Sequence, residues 1–182
     1  MSPAASVEGR DRLRLFCALR LPPDVLDGLE AWSRERLAER VVTRANLHIT
    51  LAFLGYRPAA ELEAIVGATR EATAGADPIR LEPIRYRETR SVGMLVLADE
   101  HRAAATLAED LHRRLERLGV YRREERPWLP HLTVVRFRQR PRLEPSLPPL
   151  GPFCPSDAAV YHSVLRSSGA QYDVVESFAL GG

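Results

Sequence analysis

The chain has 182 residues, of which 45% are apolar and 27% are charged, and its formal net charge is +2. This length suits one domain or two small lobes that share a core. No apolar run approaches the roughly 20 residues that a membrane-spanning helix needs. All 26 basic residues are arginine. The lack of lysine excludes Schiff-base and lysyl-nucleotide chemistry, and it excludes a P-loop.

The first half of the chain predicts a strand, a helix and a second strand. Residues 13–21 form an apolar, strand-like run, and residues 24–40 carry apolar side chains at helical spacing. Residues 46–54 alternate between two faces, and Gly55 is expected to end that strand. One face carries His48, Thr50 and Ala52; the other carries Leu47, Ile49, Leu51 and Phe53.

The second half repeats this order. After a helix at 61–74 and a strand at 79–86, the chain predicts a strand at 92–98, a helix at 101–118 and a strand at 129–137. The repeat indicates two similar halves facing each other across a cleft. Two further strands, 158–165 and 172–180, follow a proline-rich link. His101 and His112 lie too far apart on their helix to share a metal, and we expect both at the surface.

The same short motif occurs in equivalent strands of the two halves, as His48-Ile49-Thr50-Leu51 and His131-Leu132-Thr133-Val134. Five histidines and seven threonines in 182 residues would produce only about 0.2 His-x-Thr patterns by chance. Residues two apart in a strand point the same way, so two imidazoles and two hydroxyls would converge in the cleft. The alternative is that each histidine merely satisfies a backbone carbonyl and each threonine is a β-former.

These residue types suit displacement of one oxygen at phosphorus without a metal or other cofactor. One neutral imidazole can take a proton from the attacking group while a protonated imidazole gives one to the leaving group. The hydroxyls of Thr50 and Thr133 can donate hydrogen bonds to non-bridging oxygens.

Arg136 lies five residues after His131, hence on the opposite face of an ideal strand. A twist or bulge would bring its guanidinium round to a phosphate, which guanidinium groups bind through two parallel hydrogen bonds. Otherwise Arg136 is one of several solvated arginines in this segment.

Three stretches carry a resemblance to a known family: residues 15–19 (LFCAL), 46–55 (NLHITLAFLG) and 126–136, which contains PHLTVVR. Tyr161, Ser163 and Tyr172 add to it. Over about residues 12–180 the chain resembles the bacterial and archaeal RNA 2′,3′-cyclic phosphodiesterases, also called 2′-5′ RNA ligases, of the 2H phosphoesterase superfamily.

The resemblance implies an α+β, bilobal, pseudo-twofold fold in which antiparallel sheets line a central cleft and helices lie outside. We expect a disordered leader at 1–12 and a single bilobal catalytic domain at 13–182. The implied activity is metal-free hydrolysis of a 2′,3′-cyclic phosphate on RNA 3′ ends or nucleotides to a 2′-phosphomonoester, with weak ATP-independent 2′-5′ ligation.

The resemblance also implies roles for individual residues. His48 is expected to be the proton donor and His131 the proton acceptor, with Arg136 on the phosphate. Phe53 matches a position suited to stacking on a nucleobase, although a core aromatic is an equal alternative. The lead-in at 41–45 departs from the family's Trp-Val-x-Pro-Glu pattern, and Arg44 could instead contact the RNA backbone.

Two rival functions remain open from the sequence. The chain could be an RNA-end or nucleotide-binding module with little activity, or a related esterase for another cyclic phosphate or a 2′-5′ linkage. Only two cysteines and no signal segment favour a cytoplasmic protein. We expect a monomer with no membrane partner.

Overall fold

The computed structural model describes residues 11–37 and 40–181. Within these ranges two antiparallel sheets carry helices on their outer sides. The first sheet has the strand order β2-β1-β6-β7 and the second has the order β3-β4-β5. The strands are β1 (Arg12–Arg20), β2 (Ile49–Pro58), β3 (Leu81–Glu88), β4 (Val92–Asp99), β5 (His131–Arg136), β6 (Asp157–Arg166) and β7 (Gly169–Phe178). The three long helices are α1 (Pro23–Arg36), α2 (Leu62–Ala74) and α3 (Ala103–Arg117).

The two halves have the expected common plan. β1, α1 and β2 form one unit, and β4, α3 and β5 form the other, with the two strands of each unit paired antiparallel. The strands are apolar on the side that faces the helices, and Leu15, Leu95 and Leu132 are completely buried there. β6 and β7 enlarge the first sheet only. The α+β, bilobal fold with sheets around a cleft is therefore confirmed.

The first helix is shorter than the sequence predicts, and the chain after it pairs with β5 through an isolated bridge between Val41 and Val135. α1 ends at Arg36, and Leu37 is already extended, with φ −111° and ψ 128°. The backbone then pairs with β5: the Val42 N–H donates to the Val134 carbonyl at 2.9 Å, and the Arg136 N–H donates to the Arg40 carbonyl at 3.1 Å.

Three smaller predictions are wrong. Arg12, which we placed in the leader, begins β1, while residues 1–10 lie outside the described residues. Gly55 does not end β2, because the strand continues to Pro58 with Gly55 at φ +68° in an irregular pair opposite Leu15. His112 is buried with 5% exposure, since it lies on the face of α3 that packs on β2. None of the helices described is long and apolar enough to cross a membrane.

Candidate active site

Both His-x-Thr motifs open into one cavity of about 490 Å³ between the two sheets. The first sheet contributes His48, Thr50 and Phe53, and the second contributes His131, Thr133 and Arg136. The remaining lining residues are Arg14, Phe16, Arg40, Val41, Val42, Thr43, Asn46, Ser168, Gly169, Ala170 and Tyr172. The structure thus brings together every site residue predicted from the sequence except Arg44.

The two imidazoles are held in the same way. Nδ1 of His48 lies 2.8 Å from the carbonyl oxygen of Asn46, and Nδ1 of His131 lies 2.8 Å from that of Leu129. Because a carbonyl oxygen can only accept, each Nδ1 must carry the proton. In the neutral form Nε2 is therefore left with its lone pair, and this nitrogen is the one available for proton transfer. The backbone bonds that the alternative interpretation foresaw are present, but they occupy only one nitrogen of each ring.

Each motif has a bulge in its strand three residues after the histidine; His48 lies directly before β2, and His131 begins β5. In β2, Thr50 pairs with Ala18 and Ala52 pairs with Cys17, so Leu51 is an extra residue. In β5, Thr133 pairs with Met94 and Val135 pairs with Gly93, so Val134 is the extra residue. A bulge places two successive side chains on one side of the strand and resets the alternation beyond it. Leu51 with Ala52, and Val134 with Val135, are accordingly buried together.

These bulges bring Phe53 and Arg136, each five residues after its histidine, onto the cavity side. The bulge that we expected for Arg136 is confirmed. The prediction that Phe53 lies on the face opposite His48 is wrong, for the same physical reason. Phe53 is 49% exposed rather than part of the core.

The carbonyl freed at each bulge has its own donor. Leu51 O accepts a hydrogen bond from Nε2 of His112 at 2.7 Å, whereas Val134 O accepts one from the backbone N–H of Val42. Nε1 of Trp128 also donates to Thr50 O at 3.0 Å. His112 and Trp128 therefore fix the backbone of the first motif. Nothing in their local sequence indicates this role, which depends on the packing of distant segments.

Aromatic rings surround the first histidine. The ring centroids of Phe16 and Tyr172 lie 4.9 and 5.4 Å from that of His48, and Tyr161 stacks on Phe16 at 4.8 Å. Burial lowers the pKa of His48 to about 4; the Asn46 carbonyl opposes this fall, while the positive charges of Arg136 and His131 add to it. Nε2 of the neutral ring is 3.0 Å from the Thr50 hydroxyl, which therefore donates to it.

The cavity is suited to an anion, since its lining includes three arginines and no carboxylate. Arg136 and Arg40 lie on the side of the second sheet. Arg14 lies on the first, with its guanidinium 4.8 Å from the centroid of the Phe53 ring and Nη1 2.9 Å from the Ser163 hydroxyl. Cation–π contact of this kind holds an aromatic ring in place on one face and leaves the other available.

Arg44 does not reach the cavity, so its predicted place at the substrate is not supported. It begins a short 3-10 turn (Arg44–Asn46) that directs its side chain toward the start of α1. There its Nε lies 3.0 Å from Asp27 Oδ1, and an Nη donates to the Pro23 carbonyl. Asp27 is 17 residues away in the sequence, and only the fold brings its carboxylate to Arg44.

Several lining residues were not assigned a role from the sequence. Tyr172 belonged to the family pattern, but only the fold places it against His48. Asn46 donates from Nδ2 to the carbonyl of Ala170 at 3.0 Å, which ties the approach to the first motif to the β6–β7 turn. The described residues hold no group of three or more His, Cys, Asp or Glu side chains placed to bind a metal ion.

Comparison with known proteins agrees with this geometry. The chain matches the 2′-5′ RNA ligase superfamily over residues 21–169. It is 30% identical to the RNA 2′,3′-cyclic phosphodiesterase of Thermus thermophilus, over 93% of this chain and 91% of that protein.

Solved structures show the same fold. TT0787 of Thermus thermophilus superimposes with a TM-score of 0.78 at 30% identity, covering 92% of this chain and 98% of that one. Escherichia coli LigT, in complex with NADP⁺, superimposes with a TM-score of 0.79 at 26% identity, covering 94% and 99%. The chain belongs to the 2′-5′ RNA ligase superfamily.

Proposed function

We propose that this protein is a hydrolase that opens 2′,3′-cyclic phosphates at RNA 3′ ends or on nucleotides and leaves a 2′-phosphomonoester. The observation that carries the proposal is the pair of imidazoles whose Nδ1 atoms are fixed by carbonyls while their Nε2 atoms face one arginine-lined cavity. The name of the Thermus thermophilus relative supports it. So does the NADP⁺ bound to LigT, because that nucleotide carries a ribose 2′-phosphate like the proposed product.

The reaction needs one proton to be removed and one to be supplied. A water oxygen attacks phosphorus while its proton passes to Nε2 of His131. The bond from phosphorus to the 3′ oxygen breaks, and that oxygen takes a proton from Nε2 of His48. The product has a 2′-phosphate and a free 3′-hydroxyl. General acid–base catalysis of this kind contributes roughly 10²–10⁴-fold for each group.

The proposed acid must acquire its proton in the complex with substrate. The pKa of His48 is about 4, with burial as the main cause and Arg136 contributing. A bound phosphate anion stabilises the imidazolium and offsets the charge of Arg136, which raises this pKa. The Thr50 hydroxyl, which donates to Nε2 of the neutral ring, is then free to donate to a phosphate oxygen.

The remaining side chains bind the substrate. Thr133 and Arg136 face the same space as Thr50 and donate to non-bridging oxygens, where negative charge accumulates. The exposed face of Phe53 is available for stacking on the terminal base, since Arg14 occupies the other face. We place both lobes, residues 13–182, in one catalytic domain because the site takes its residues from both sheets.

The same site is able to join RNA ends without ATP. If a 5′-hydroxyl takes the place of water, His131 accepts its proton and the product is a 2′-5′ phosphodiester. The strain of the cyclic phosphate supplies the driving force. We propose that ligation is weak and that the protein acts as a cytoplasmic monomer, with free cysteines at Cys17 and Cys154.

The test uses EDTA-treated protein and an oligoribonucleotide that ends in a 2′,3′-cyclic phosphate. Wild type should open the ring to a 2′-phosphate, identified by ³¹P NMR. His48→Ala and His131→Ala should each lose about 10²–10⁴-fold in rate. His101→Ala is the matched control, because this histidine side chain is 89% exposed and lies outside the cavity.

The outcomes separate the rival functions. Tight binding of the RNA end by wild type without turnover would identify a binding module. Turnover of a different cyclic phosphate or of a 2′-5′ linkage, with RNA ends left intact, would identify another esterase. Equal activity in wild type and both alanine variants would contradict the proposed roles of the two histidines.

A further inference from the structure

A strip of arginines on the second sheet leads away from the catalytic pair. Arg85 of β3 pairs with Val96 of β4, which in turn pairs with His131 of β5. Arg87 pairs with Met94, which pairs with Thr133. Directly opposed residues of antiparallel strands share a face of the sheet. Arg85 and Arg87 therefore lie on the cavity side, in the same cross-strand rows as the second His-x-Thr motif.

The separation suits the next unit of a polymeric substrate. β3 is two strands from β5, so each arginine Cα is about 10 Å from the Cα of its row partner on β5. An arginine side chain covers a large part of that distance. The guanidinium groups can therefore reach the neighbourhood of the reacting phosphate. They do not contact that phosphate itself, because neither residue lines the catalytic cavity.

The two arginines are exposed and have no ion-pair partner among the described residues. Neighbouring arginines are engaged: Arg80 pairs with Glu100 at 3.3 Å, and Arg140 pairs with Glu88 at 3.2 Å. The charges of Arg85 and Arg87 are therefore not neutralised by a carboxylate, and their position in register with the second His-x-Thr motif makes them available to a polyanion that extends from the catalytic cavity.

The charged residues along β3 show on which side of Arg85 the positive strip continues. Glu82, opposite Ala98, is the acidic residue on the far side of Arg85 from Arg87. From Arg85 the positive strip continues instead toward Arg87. Beyond the paired residue Leu81, both arginines border a second cavity of about 660 Å³ at the edge of β3. Its other charged lining residues are Arg140 and Arg142, and Glu88 and Glu144, so arginines outnumber carboxylates there by four to two.

In the first sheet, the described arginines of β1 all have partners, with Nη2 of Arg12 donating to the Tyr56 carbonyl at 2.8 Å. On β1, Arg14 is held over Phe53 and bonded to Ser163, and Arg20 is paired with Asp157 at 2.5 Å. This sheet presents aromatic rings to the cavity instead. With a base at Phe53 on the first sheet, the arginines without a carboxylate partner that remain for the rest of a nucleotide chain are those of the second sheet.

We propose that Arg85 and Arg87 bind the phosphates of the RNA segment on the 5′ side of the terminal cyclic phosphate. The inference rests on the proposed function and narrows its substrate class: the preferred substrate is an RNA end rather than a cyclic mononucleotide. The contacts are to the backbone, so they give affinity for a strand without selecting its sequence.

The test compares a hexaribonucleotide ending in a 2′,3′-cyclic phosphate with 2′,3′-cyclic AMP. The variant is Arg85→Gln/Arg87→Gln. The charge-matched control is Arg34→Gln/Arg113→Gln, which removes two exposed helix arginines outside both cavities. Binding is followed in parallel by anisotropy of a labelled hexaribonucleotide ending in a 2′-phosphate, between about 50 and 200 mM salt.

We expect the variant to lose roughly tenfold or more in kcat/KM and in affinity on the hexanucleotide, with cyclic AMP turnover within about twofold of wild type. The slope of log affinity against log salt should fall by about 1.4, which corresponds to two lost phosphate contacts on a single strand. The control should match wild type.

Other results would overturn the inference in distinguishable ways. If wild type turns over cyclic AMP as efficiently as the hexanucleotide, or the variant loses both substrates equally, the strip does not bind RNA and the proposed function stands. If wild type turns over neither substrate, the proposed function fails. In that case the anisotropy measurement alone tests whether Arg85 and Arg87 bind RNA. Unchanged binding in the variant would rule this out, and weakened binding would support it.

Discussion

The two His-x-Thr motifs share one backbone design but lie in different surroundings. Each has a carbonyl on Nδ1 and a bulge three residues after the histidine. His48 is packed among Phe16, Tyr161 and Tyr172, whereas no aromatic ring of the described residues stacks on His131. The difference arises from β6 and β7, which enlarge only the first sheet and carry two of those rings. A repeated motif therefore acquires two environments from strands outside the repeat.

The residues that follow the two bulges also differ, with an aromatic residue in the first half and a charged residue in the second. Phe53 and Arg136 are equivalent positions of the two halves, yet one presents an aromatic face and the other a guanidinium. The pseudo-twofold thus produces one half suited to a base and one half suited to phosphate. The following predictions test this division, in order of decreasing effect.

Arg136→Gln should cause the largest loss among these variants, about 10²–10³-fold in kcat/KM on a cyclic phosphate substrate. The guanidinium lines the cavity, and in the proposed mechanism it binds the phosphate oxygens where negative charge develops. Loss of such a preorganised group costs this much in other enzymes. Steady-state kinetics on 2′,3′-cyclic AMP measures the effect. Arg138→Gln, an exposed arginine two residues later and outside the cavity, should stay near wild type. If Arg136→Gln lost less than threefold in kcat/KM, Arg136 would not be the residue that binds the phosphate.

His112→Phe should destabilise the protein by about 1–3 kcal/mol, because it leaves the buried Leu51 carbonyl without its donor. Chemical denaturation measures the change in free energy of unfolding. His112→Gln retains a donor and should recover part of the loss. The β5 bulge has no such dependence on a side chain, since the Val42 N–H serves it. If Phe and Gln were equally tolerated, the hydrogen bond to Leu51 would not stabilise the bulge.

Phe53→Leu should raise KM roughly tenfold on substrates with a terminal base, since stacking on an aromatic ring is worth about 1–3 kcal/mol per base. The change should appear in KM and leave kcat within a few-fold. Ribose 2′,3′-cyclic phosphate, which lacks the base, should show no difference between Phe53→Leu and wild type. Tyr56→Leu is the matched control, because Tyr56 is 54% exposed on the same strand but outside the cavity. Equal losses on both substrates would mean that Phe53 supports the site without stacking.

The sequence predicted the parts of this site that depend on side-chain period alone. His48 with Thr50, and His131 with Thr133, face one cavity because residues two apart in a strand share a side. The bulge at Leu51 left no trace in the sequence, since Leu51 and Ala52 are both apolar and continue an apolar strand. Phe53 was therefore assigned to the wrong face.

Long-range contacts were also beyond reach of the sequence. The bonds from His112 to Leu51 and from Trp128 to Thr50 join residues 61 and 78 positions apart. The rows that align Arg85 with His131 depend on the register of three strands. A positively charged residue such as Arg44 suited a contact to the RNA backbone. The sequence does not show that Asp27 lies within hydrogen-bond distance of it in the folded chain.

The smallest expected effect is on the protonation of His48, and it tests the asymmetry most directly. Burial is the main cause of the low pKa of His48, about 4, and the charges of Arg136 and His131 lower it further. Arg136→Gln should therefore raise this pKa but leave it below the ordinary value, because burial remains. Saturating inorganic phosphate should also raise it in wild type. NMR titration of the ring resonances measures both shifts. A pKa unchanged by phosphate would leave His48 neutral near pH 7 in the complex, and would assign the acid role to His131 instead.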